Sequence, residues 1–199
     1  MKNRTAQKER KTKETNINLN INLDGKGDAE INTGISFFDH MLELFARHSL
    51  CDLAIDAKGD LEIDEHHLIE DMGIVLGEAL KEAIGDKKGI NRYGFMILPM
   101  DDTLVEVVLD LSNRPFYVSN FDKELKNLAK DDKDRYELYE HFFQSLAINA
   151  GMTLHINLKY GKNFHHIVES IFKCFAHALR KAIESDPRSD QVPSTKGTL

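Results

Sequence analysis

Apolar residues recur along this chain with two different periods, and the switches between them mark out its elements. From Thr15 to Leu23 the segment TNINLNINL alternates polar and apolar positions, which predicts a half-buried strand, and Asp24-Gly25 follows as a turn. The spacing of Phe37 to His48 predicts a short helix burying Phe37, Met41, Leu44 and Phe45 on one face, with Ser36 as its N-cap. Cys51 to Ile63 reads as one or two strands, and His66 to Ile84 as a helix stopped by Gly85. Strands return at Gly94 to Leu98 and Thr103 to Leu111. A helix (Tyr136 to Ala150), a strand (Thr153 to Tyr160), a turn with Gly161 and a long helix (His165 to Glu184) complete the order. Met1 to Glu14 is polar, mostly basic and aperiodic, and is expected to be a mobile tail. A segment with Pro187 and Pro193 follows the last helix.

An internal repeat emerges when HHLIEDMGIVLGEALKEAIG (His66 to Gly85) is set above HHIVESIFKCFAHALRKAIES (His165 to Ser185). The HHxxE start, the later Ala-Leu and the Ala-Ile ending coincide. Upstream of the first lies FFDHMLELFARH with His40, and upstream of the second LYEHFFQSLAIN with His141; the intervals to the HH pairs are 26 and 24 residues. The repeat therefore reads as a duplicated half-domain of about 90–100 residues that alternates strands and helices. The divisions expected are a tail over 1–14, half-domains over 15–90 and 91–186, and a closing tail over 187–199.

Composition narrows the function. The 199 residues include 33 acidic and 26 basic side chains, a formal charge of −7, so the basic face that a nucleic-acid binder needs is missing. No apolar run is long enough to span a bilayer and no signal peptide is evident, so a cytoplasmic protein without membrane contact is expected. Cys51 and Cys174 are isolated and read as buried free thiols.

Nine histidines stand out against those two cysteines. On a helix, His66 and Glu70 share a face and can bind one ion, while His67 points away and must serve another. The same holds for His165 with Glu169, and for His166. With His40 and His141 from the preceding helices, the repeat supplies six imidazoles and two carboxylates, enough for four protein ligands on each of two metals. A lone His-His pair is usually surface or capping chemistry; recurrence at matched positions is what argues for metal. Imidazole and carboxylate without thiolate suit Mn, Fe, Co or Zn, and a six-coordinate site favours Mn or Fe. His155 and His177 read as packing or supporting residues, and His48, one or two turns beyond His40, could line the site. Arg92, Arg114, Lys173 and Lys196 each read alone as a solvated charge. Lys173, however, shares a helix face with His165, and Ser194-Thr195-Lys196-Gly197 is a hydroxyl-rich loop suited to a phosphate.

At this point the motifs become specific. HHLIEDMGIVLGEAL, the RYG of Arg92 to Gly94, PMDD, DLSNRP, GKNFHHIVESIFK and PSTKG resemble the imidazoleglycerol-phosphate dehydratase family over Arg10 to Leu199. The departures are Asn113 where that family usually has Gly, Asp102 where Glu is common, and Phe164 where a small or polar residue is common. The resemblance implies an α+β fold of two repeated ferredoxin-like, βαββα-type halves, with four helices packed between two four-stranded sheets, and self-association into a 24-mer with active sites between subunits. It implies two Mn2+ per active site: one on His40, His67, His165 and Glu169, the other on His66, Glu70, His141 and His166. Phosphate contacts map to Arg92, Arg114, Lys173, Ser194 and Lys196, and a proton-transferring glutamate maps to Glu14, expected as a lid that substrate orders. Glu14 and His48 are the catalytic candidates.

The implied reaction explains the need for two metals. Imidazoleglycerol phosphate loses a proton from a carbon with no adjacent carbonyl, so the imidazole must be the electron source. With its nitrogens bridging two ions the ring becomes an imidazolate, expels the neighbouring hydroxyl and yields imidazole acetol phosphate through a diazafulvene-like intermediate and an enol. Two other classes use the same residues: a dinuclear metal hydrolase, and a non-catalytic, metal-dependent assembly protein.

Overall fold

Among the described residues the strands pair into two four-stranded sheets, and four helices bring their apolar faces together between them. The computed structural model describes residues 4–121 and 130–199. The first half runs β1 (Thr5–Lys11), β2 (Thr15–Asn22), β3 (Ala29–Asn32), α1 (Ser36–Ser49), β4 (Asp52–Gly59) and α2 (His66–Ile84). The second repeats it with β5 (Tyr93–Met100), β6 (Thr103–Asp110), β7 (Phe116–Ser119), α3 (Lys130–Ala150), β8 (Thr153–Tyr160) and α4 (Phe164–Ile183). The sheet orders match, β1-β2-β4-β3 and β5-β6-β8-β7, each antiparallel except for its last, parallel pair. The repeat is thus real in three dimensions and the α+β class holds, but the element order in each half is βββαβα and not βαββα, because a first strand and a short edge strand precede the first helix.

Alternation decides which strand face is buried. Ile17, Leu19 and Ile21 of β2 point inward with Leu53, Ile55 and Ala57 of β4; Val105, Val107 and Leu109 of β6 do so with Leu154, Ile156 and Leu158 of β8. The helices of one half pack on those of the other, α2 against α3 and α1 against α4. An aromatic cluster fills the centre: Phe142 and Phe172 stack at 5.4 Å, and Phe38 meets Phe142 edge-on at 5.4 Å. Such pairs add about 0.5–1.5 kcal/mol beyond their buried area. Cys51 and Cys174 are free and buried.

Several expectations are corrected. The segment 1–14 is not simply a tail: Thr5–Lys11 is strand β1, in register with β2. Its inward face, Ala6, Lys8 and Arg10, disguises it, because the long stems cover α2 while the heads pair with Glu82 at 2.6 Å and Asp71 at 2.9 Å. The short edge strands β3 and β7 carry too few alternating residues to announce themselves. Ser36 does not cap α1. Ile35 occupies that position, and Asp39 accepts from the Thr33 amide at 2.9 Å and hydroxyl at 2.5 Å. The buried face of α1 is Phe38, Met41, Leu42 and Phe45; Phe37 and Leu44 are only partly covered.

Candidate active site

The HHxxE motifs open α2 and α4, so each presents its first histidine and its glutamate one turn apart. On α4, His165 Nε2 lies 2.8 Å from Glu169 Oε2, and His40 of α1 brings its Nε2 to 3.8 Å from the same oxygen. These three residues offer donor atoms that all lie within 4.8 Å of one another. The pairing of α1 with α4 is what delivers His40. On α2, His66 Nε2 lies 3.2 Å from Glu70 Oε2, and His141 of α3 puts Nδ1 3.3 Å from His66 Nε2. The pairing of α2 with α3 delivers that third residue. The imidazole and carboxylate donors of His40, His165 and Glu169 fit a divalent ion of the Mn, Fe, Co or Zn class, while on α2 it is His66 alone that touches both of its neighbours.

His67 and His166 turn away, as the 100° step per residue requires. His67 Nδ1 faces Asp60 at 3.1 Å, with Glu14 at 4.0 Å. His166 Nδ1 faces Asp102 at 2.7 Å. A carboxylate on Nδ1 fixes each ring and directs its Nε2 outward, the usual support for a metal-binding imidazole, and the Nε2 of His166 lies 3.6 Å from Asp101 Oδ2. The hydrogen bond to Asp60 raises the His67 pKa, and the one from His166 lowers that of Asp102. Asp60 escaped the sequence reading. A signal existed for its companions: Glu14-Thr15 and Asp102-Thr103 each place an acid directly before a buried threonine at the start of the second strand of a half.

The structure brings Arg92, Arg114, Ser194 and Lys196 together around a cavity of about 820 Å³, with Ser112 and Thr195. Arg92 is buried and its fork is held by Asp110, with Nε to Oδ1 at 2.6 Å and Nη2 to Oδ2 at 3.0 Å. Arg114 is largely exposed beside it. Lys173 does not line this cavity; its Nζ pairs with Glu169 Oε1 at 2.5 Å, one turn along α4. Burial alone would raise the Glu169 carboxyl, but hydrogen bonds from Lys173 and His165 outweigh it and hold the group below the usual carboxylate range. His48 lies beside His177 with ring centroids 5.1 Å apart and the rings tilted by 51°. Burial foremost, then the neighbouring His177 and Lys173, pushes the His48 pKa down.

Asn113 holds φ at 56°, so the left-handed turn is made by an asparagine. Its side chain bonds the buried Lys87, which also went unnoticed in the sequence because lysines at 87 and 88 follow a helix end like any solvated pair. Lys87 Nζ donates to Asn113 Oδ1 at 2.7 Å and Leu111 O at 2.9 Å. Burial pushes its pKa down to about 8.

Comparison with known proteins gives these residues a context. The family model described as imidazoleglycerol-phosphate dehydratase matches residues 33–179. The chain is 52% identical over 199 residues to the imidazoleglycerol-phosphate dehydratase of Clostridium botulinum strain Langeland, covering all of both chains. It is 55% identical over 190 residues to that of Acetivibrio thermocellus, covering 96% of each. Among solved structures, it resembles the dehydratase of Staphylococcus aureus N315 with a TM-score of 0.78 and 42% identity, over 92% of this chain and 99% of that one. The Pyrococcus furiosus enzyme in complex with (S)-C348 gives 0.79 and 40%, over 96% and 100%.

Proposed function

The chain belongs to the imidazoleglycerol-phosphate dehydratase family, and from that premise we propose which of its residues carry the reaction and how the site is completed. It is a hydro-lyase acting on imidazoleglycerol phosphate in histidine biosynthesis. The hydrolase and assembly-only alternatives are not favoured by full-length relatives that share the dehydratase name.

In this reading His40, His165 and Glu169 hold one divalent ion and His66, Glu70 and His141 a second, both taken as manganese. Bound there, such ions would make the N–H of the substrate's imidazole ring more acidic. The observation that carries the reading is that each chain gathers His40, His165 and Glu169 into one cluster and sets His66 against both Glu70 and His141, but turns His67 and His166 away from both groups, each ring held by an aspartate on Nδ1. His67 of a second copy completes the first cluster, and His166 of a second copy completes the second. Self-association, to a 24-mer, follows as part of the proposal. The outer face of the second sheet supports it: Tyr93, Phe95, Ile97 and Val108 are exposed there, whereas β2 presents Asn16, Asn18, Asn20 and Asn22 at the corresponding face. No helix among the described residues is long and apolar enough to cross a membrane; a cytoplasmic location belongs to the same proposal.

The remaining residues bind and move protons. Arg92, Arg114, Ser194 and Lys196 take the phosphate, with Lys173 supplied from the metal side of the site. Glu14, exposed in the β1–β2 turn beside His67, carries the proton that lets the substrate hydroxyl leave as water. His48, whose pKa is pushed down by burial first and then by His177 and Lys173, presents its imidazole on the α1 face beyond His40. The test follows imidazole acetol phosphate formation after chelation and after Mn2+ addition. Activity is expected to vanish and return, and Glu14→Gln to lower turnover by about 10²–10⁴-fold. Chelated protein that turns over at the untreated rate would overturn the metal assignment, and a wild-type rate for Glu14→Gln would overturn its role.

A further inference from the structure

The segment that carries Ser194 and Lys196 has no regular structure and is held at its two ends. Before Ser194, the main-chain oxygen of Pro193 accepts from Arg92 Nη1 at 2.8 Å. Beyond Lys196, the main-chain oxygen of Leu199 accepts from Asn113 Nδ2 at 2.9 Å. Asn113 is itself aimed from below. Its Oδ1 accepts from Lys87 Nζ at 2.7 Å, and that ammonium, on a residue only 3% exposed, also bonds Leu111 O at 2.9 Å. The donor to Asn113 fixes which end of the amide is oxygen, so the NH2 is left facing the tail. The loop after α2 that holds Lys87 grips the same tail again, where Gly89 N donates to Gln191 O at 3.0 Å and Gly89 O accepts from Asp186 N at 2.7 Å.

We propose that Lys87 and Asn113 form a latch that positions the Ser194–Lys196 segment over the phosphate cavity, so that they are positioning residues for the substrate's phosphate group. The inference rests on reading that cavity as the phosphate site. Asn113 occupies a left-handed backbone position that glycine also accepts, and only the asparagine side chain reaches both Lys87 and Leu199. Lys87 never touches the phosphate; it acts through the amide it orients. The two arginines need no latch, since Arg92 is held by Asp110 and Arg114 lies on the β6–β7 loop.

Asn113→Gly is the test variant, because it keeps the turn and removes both side-chain bonds. Two quantities are read on the metal-loaded full-length protein: deuterium exchange of the amides at 192–199 without substrate, and KM and kcat for imidazoleglycerol phosphate. Faster tail exchange, with β2 and β6 amides unchanged, and a KM raised about tenfold with kcat within about twofold are expected from loss of the hydrogen bond to Leu199, the one of the two that reaches the tail. Wild-type exchange of the tail overturns the latch. Faster exchange with a wild-type KM overturns its role in phosphate positioning, as does an equal fall in kcat. Lys196→Ala, measured alongside, separates the two levels: if it leaves KM unchanged, the phosphate-cavity reading fails, whereas the exchange result judges the latch on its own.

Discussion

At the scale of single residues, the helical step of 100° did most of the work. It separated His66 and Glu70 from His67, and His165 and Glu169 from His166, and the structure shows that separation directly, with each first histidine on its glutamate and each second one on an aspartate. What the sequence could not give were the partners brought in from elsewhere, such as Asp60, or a lysine such as Lys87 whose burial depends on the loops packed over it. Lys87 leads to a pH prediction. Its pKa falls from 10.5 to about 8 in the folded chain, so between those values the unfolded chain retains a proton that the folded one has released. Stability from this group therefore rises with pH across that window, and below it the cost of burying the charge is constant. Thermal midpoints of the wild type should climb relative to Lys87→Met from pH 8 to 10.5; parallel curves would refute the assignment.

At the scale of elements, the long periodic segments declared themselves and the short edge strands did not. α2 and β8 have the bounds their patterns indicate, His66–Ile84 and Thr153–Tyr160. β1 was lost because its inward face is built from lysine and arginine stems. The two helix pairs also differ in a way that the repeat conceals. Gly73 and Gly77 let α2 approach the α3 backbone, where a Cβ would meet Phe142 O at 2.5 Å and Leu146 O at 2.7 Å. The repeat-related positions on α4 are Phe172 and Ala176, so the α1–α4 pair has side chains where this one has backbone. Helix propensity alone would make Gly73→Ala stabilising by up to about 1 kcal/mol. The close approach predicts the opposite sign, a loss of about 1–3 kcal/mol. Because Phe142 adjoins His141, weaker metal binding should accompany the loss. A denaturation midpoint at or above the wild type would show that the helices are free to move apart.

At the scale of the whole molecule, the two halves interlock through their helices, and each three-residue cluster draws on both. His40 comes from the first half to a motif in the second, and His141 from the second to a motif in the first. Completion by another copy can be tested by mixing. Chains with His40→Ala and chains with His67→Ala are each expected to be inactive. Co-assembled in equal amounts, they should recover about a quarter of the wild-type activity, because random pairing leaves that share of sites with every ligand intact. No recovery after demonstrated subunit exchange would place His40 and His67 in the same chain's site. The sequence by itself determined the donor types, their facing along each helix and the duplication, because these follow from local periodicity and from residue chemistry. Only the tertiary structure decided which helix of one half meets which motif of the other, that β1 closes the first sheet, and that Asn113 and Lys87 reach the closing segment. Those contacts join residues distant along the chain, and no local period encodes them.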